Sequence, residues 1–150
     1  MTENKSVRPY EEFAAHIFEE TVKAREQLQT WIDDPTITSV GCVDKLTQKG
    51  SANPPGGLIF LNRERVQNTN ENALMRFVRV RAEAGVLDGT LMAHENCGYM
   101  RVVLGSDYLS EHQGEIFLAK RQLDTLNKMY GTRFRVEVEK IGSAAPYMKK

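Results

Sequence analysis

Short apolar runs alternate along this chain with longer segments of helical period, and that alternation admits few architectures. Ile37, Val40 and Val43 suit one short buried strand. Leu58-Ile59-Phe60-Leu61 suits a second, residues 86–93 a third, and Phe134, Val136 and Val138, alternating with Arg135, Glu137 and Glu139, a fourth with one wet face at a sheet edge. Helical spacing runs through residues 9–33, closed by Asp33-Asp34-Pro35, and through 111–130, closed by Gly131. Residues 73–84 fit either period, and their Ala, Leu, Met, Arg and Glu content selects helix. The order helix, strand, strand, helix, strand, helix, strand predicts an α/β fold. A mainly parallel central sheet is flanked by helices, and a ligand site lies at the carboxyl ends of its strands.

With 150 residues, 41% of them hydrophobic, residues 9–150 suit one domain after a disordered start at 1–8. Twenty Lys+Arg balance 20 Asp+Glu, which leaves no basic field for nucleic acid. No apolar run approaches the roughly 18 residues of a membrane span, and the first eight residues lack a signal-peptide core, so the chain reads as cytoplasmic. The glycine- and proline-rich stretch 47–57 reads as a loop, and Arg76, Arg79 and Arg81 as a solvated helix face. Phe13, Ile17, Phe18 and Trp31 give the first helix an apolar face for the core or a partner subunit. His16 reads as a surface or packed histidine, as does His112, which is also the available proton shuttle.

Chemistry gathers at two strand ends. Cys42 closes the first strand, and His94-Glu95-Asn96-Cys97-Gly98 follows the third, so both thiols fall on one edge of the sheet. Two thiolates and an imidazole suit Zn²⁺, which takes mixed nitrogen and sulfur donors tetrahedrally. Buried structural thiols and a redox pair are the alternatives. Three protein donors would leave a water on zinc and lower its pKa to about 7. Asp44 stands beside a donor, either to orient that water or to cap its own loop through backbone N–H groups.

Cys42-Val43-Asp44 and His94-x-x-Cys97-Gly98, with Pro55-Gly56-Gly57 and the apolar run to Arg63 between them, resemble the β-class carbonic anhydrases in order and spacing over residues 38–98. The chain is identified as a divergent, short member of that family. The resemblance implies a zinc site on Cys42, His94 and Cys97, Asp44 as the catalytic residue, CO₂ and bicarbonate as substrates, and a homodimer or higher homo-oligomer. Two positions depart from the family. Leu46 stands where an arginine would hold the aspartate off the metal, and Pro54 stands where a glutamine would help bind substrate. Asp44 is therefore expected either to ligate zinc or to be held by a substitute cation, Lys45, Lys49 or Arg63, while Gln48 or Asn53 could replace the glutamine. Two functions follow: a hydratase of CO₂ or a related small molecule, or a non-catalytic zinc-stabilised domain acting through binding or assembly.

Overall fold

A computed structural model describes residues 7–149. Helix α1 (Val7–Ile32) is followed by strand β1 (Ser39–Val40), helices α2 (Leu58–Arg63) and α3 (Ala73–Glu83), and strand β2 (Asp88–His94). A π-helical turn (Tyr99–Val103), helix α4 (Leu109–Tyr130), strand β3 (Arg133–Glu139) and a 3₁₀ turn (Ala145–Tyr147) complete the order. The expected disordered start lies outside the described residues, apart from residues 7 and 8, which α1 takes in.

The sheet is parallel throughout, in the order β1-β2-β3, so β2 is its centre and β3 the expected edge. Leu91 and Ala93 of β2 and Phe134 of β3 turn to one face, where α2 and α4 pack on the sheet and Phe77 of α3 meets Phe134 edge-on with ring centroids 5.4 Å apart. Arg135 and Glu137 alternate with them on the wet side. Local chemistry sets the joints. Asn72 caps α3 by accepting from Met75 N, and Gly131 ends α4 at φ 67°, a conformation that suits glycine. Asn127 then stitches α4 to β3 by accepting from Phe134 N and donating to Phe134 O.

Two expectations are overturned. Leu58-Ile59-Phe60-Leu61 forms α2 rather than a second strand. All four side chains are buried, so the run is apolar on every side and its period says nothing about helix or strand. Arg81 is fully buried rather than solvated. Its guanidinium donates to the carbonyls of Trp31, Ile32, Asp34, Ile37 and Phe77 at 2.6–3.2 Å and lies 3.7 Å from the Phe77 ring centroid. Arg76 and Arg79 are also committed, the first to Asp33 and the second to Glu71, each through two bonds.

Burial pulls Arg81 down to about 10, which still leaves it charged at neutral pH. Substitution Arg81→Met strands several carbonyls in the interior and should cost about 3–5 kcal/mol in urea denaturation, because an unmade bond to a buried group is paid in full desolvation. Arg81→Lys should recover little of this, since one ammonium cannot span five carbonyls.

Candidate metal centre

The sheet's carboxyl edge carries the site. Cys42 lies two residues beyond β1, in a turn closed by Cys42 N to Thr47 O and Thr47 N to Asp44 O. His94 is the last residue of β2, and Cys97 enters the π-helical turn after Asn96, which takes φ 56°. The three side chains are buried and their ligand atoms all lie within 4.8 Å of one another. Gly57 makes the approach possible, since a Cβ there would lie 2.3 Å from Met92 O. Its neighbour Gly56 donates its N–H to Cys42 Sγ at 3.2 Å.

His94 is oriented for ligation. Its Nδ1 faces two carbonyl oxygens, Glu95 O at 2.9 Å and Ile141 O at 2.8 Å, so Nδ1 carries a proton and donates. Nε2 is the buried side-chain nitrogen with no hydrogen-bond partner among the described residues. An orphaned imidazole nitrogen facing two sulfurs fits a soft-to-borderline cation such as zinc, and a carbonyl on the opposite ring nitrogen is the usual support for such a ligand. Gly142 lets the supporting loop close in, because a Cβ there would lie 2.7 Å from His94 Nδ1 and 2.3 Å from Asn96 O.

The protons of the three groups are coupled. The neighbouring Cys97 sulfur and burial push the Cys42 thiol well up. Cys97 is held down by its bond from Cys42, against burial, with help from the backbone N–H groups of Met100 and Tyr99. Burial favours neutral His94, but the Cys42 sulfur outweighs it and raises the imidazole to about 9.

Asp44 is held by neutral donors. Its Oδ1 accepts from Leu46 N at 3.0 Å and Ser143 Oγ at 2.9 Å, and its Oδ2 from Ser143 N at 2.6 Å. The loop-capping expectation is met in the bond from Leu46, whereas neither the metal-ligating nor the cation-held arrangement is seen. The Asp44 carboxylate is not among the donors gathered within 4.8 Å. Two candidate cations are engaged elsewhere, Lys49 with Glu139 and Arg63 with Glu115, and Lys45 is exposed. Asn53 is occupied within its own loop, with both halves of its amide bonded to Gly50. His112 is a packed histidine rather than an available shuttle, because Nε2 donates to Ser106 O and Nδ1 accepts from Cys97 N.

A cavity of about 470 Å³ opens beside the centre. Cys42, Asp44, Gly98 and Ser143 line its inner side, and Phe13, Ile17, Pro55 and Tyr99 give it apolar walls. Exposed His16 and Gln48 lie along it. Segment 141–143 was missed in the sequence: Ile141 contributes through its carbonyl and Ser143 through ordinary polar groups, 99 positions from Asp44. No family model matches the chain, and no match emerges among curated proteins or solved structures.

Zinc uptake near neutral pH should release protons, because Cys42 and His94 both hold theirs above pH 7. The apparent dissociation constant should therefore fall as pH rises toward the His94 value, measured by competition with a chromophoric chelator. Gly142→Ala should weaken zinc binding about 10–100-fold by displacing the loop that orients His94.

Proposed function

We propose that the chain is a zinc-dependent hydratase of the β-class carbonic anhydrase kind, converting CO₂ to bicarbonate. The observation that carries the reading is the convergence of Cys42, His94 and Cys97 beside a cavity that reaches Cys42 and Asp44. When bound, zinc on three protein donors would supply a nucleophile by lowering the pKa of its water. Cys42 and Cys97 as thiolates and His94 as neutral imidazole would hold the ion and cancel its charge. Asp44 then has a defined part. Three of the about four acceptor sites on a carboxylate are taken by Leu46 and Ser143, and the free one, on Oδ2, can accept from a hydroxyl group and orient it toward an electrophile. Phe13, Ile17, Pro55 and Tyr99 offer an apolar approach suited to a small uncharged substrate.

The homodimer belongs to the same reading. Phe18 and Val22, one turn apart on α1, are each about half exposed and would give a second copy an apolar strip to cover. Among the described residues no helix is long and apolar enough to cross a membrane.

One observation favours the non-catalytic alternative. Asp44 ties the loop after β1 to the loop after β3, which gives it a structural use independent of turnover. Stopped-flow CO₂ hydration with a pH indicator separates the two. The hydratase should show a zinc-dependent rate between about pH 7 and 9, and Asp44→Asn should lower kcat about tenfold or more while zinc content stays near one equivalent. Stoichiometric zinc without any rate above background would leave the structural role.

A further inference from the structure

We propose that Ser143 is a positioning residue that keeps Asp44 off the metal centre and so holds the fourth coordination position open. This rests on the reading of Cys42, His94 and Cys97 as a zinc site. Asp44 is two residues from a donor, and a carboxylate oxygen can itself ligate zinc at about 2.0–2.2 Å. Ser143 restrains it at both oxygens, through its N–H at 2.6 Å and its hydroxyl at 2.9 Å.

Ser143 is itself fixed by the surrounding backbone. Gly142 sits against Asn96 O and the His94 ring, and Ala144 N donates to Asn96 O at 3.0 Å. Ile141 O takes the His94 Nδ1 proton. Three consecutive residues therefore orient one donor and hold back a competing one. A carboxylate that already accepts three hydrogen bonds must give up some of them to reach a cation, and losing the hydroxyl lowers that cost. Ser143 is exposed, so the change to alanine leaves no buried void.

The test uses the cobalt-substituted protein, in which a thiolate-to-cobalt absorption band reports loading and azide, followed through the visible cobalt bands, reports an open position. Wild type and Ser143→Thr should bind azide alike. Ser143→Ala should bind it about tenfold more weakly, because the hydrogen bond lost is one to a charged group. Adding Asp44→Asn to Ser143→Ala should restore the wild-type response, because the amide is a poor competitor for the metal. Azide affinity of Ser143→Ala within about twofold of wild type would overturn the proposal, as would a weakening that Asp44→Asn does not reverse. A wild-type protein that forms no thiolate-to-cobalt band would overturn the zinc reading and this proposal together. A normal band with an unaltered Ser143→Ala would overturn this proposal alone.

Discussion

A single buried guanidinium organises one end of this molecule. Arg81 meets carbonyl oxygens at the end of α1, in the turn that follows, and just before β1. Helices end with carbonyls that lack partners, and a cation there also complements the helix dipole. Arg81 thereby settles where α1 stops and at what angle the chain enters β1. Cys42 lies a few residues along that same path, so the location of one candidate metal donor follows from a charge placed on α3. The Arg76 and Asp33 pair reinforces the joint from the protein surface.

The other end depends on pairing rather than charge. β2 is held by parallel neighbours on both sides, and its register with β3 runs unbroken from Asp88 opposite Arg133 to His94 opposite Glu139. The ladder continues into the site, where Glu95 N donates to Glu139 O. The chain leaving β3 is thereby delivered to the His94 ring. The centre is a meeting of loops, but each loop leaves a strand whose height in the sheet is set by hydrogen bonds.

Much of this was legible from residue patterns, and the failures have physical causes. Residues of α3 fit either period and only their composition selects helix, but α4 and β3 are each polar on one side and apolar on the other, so period could be read. That of α2 could not, since it is buried on every side. Arg81 was misassigned because charge in a helical segment ordinarily means solvent, and the carbonyls that justify its burial belong to residues 31–37 and to its own helix. Cys42, His94 and Cys97 were legible because few residue types combine with a divalent cation in that way, and their spacing from strand ends predicted their convergence. Asp44 stands out in the sequence by its proximity to a candidate donor. Its partner was invisible, because a serine 99 positions away carries no signal that distinguishes it from any surface serine.

The separation of Asp44 from Ser143 along the chain also orders events in time. Both sulfurs and the imidazole are present once residue 97 has been made, yet the groups that orient the imidazole and restrain the carboxylate come at residues 141 and 143. Until those later residues are in place, the carboxylate is untethered from that side and the imidazole lacks the Ile141 carbonyl. Pairing of β3 with β2 delivers the segment that tethers the carboxylate. A chain interrupted before β3 would carry the three candidate donors without the segment that supports them.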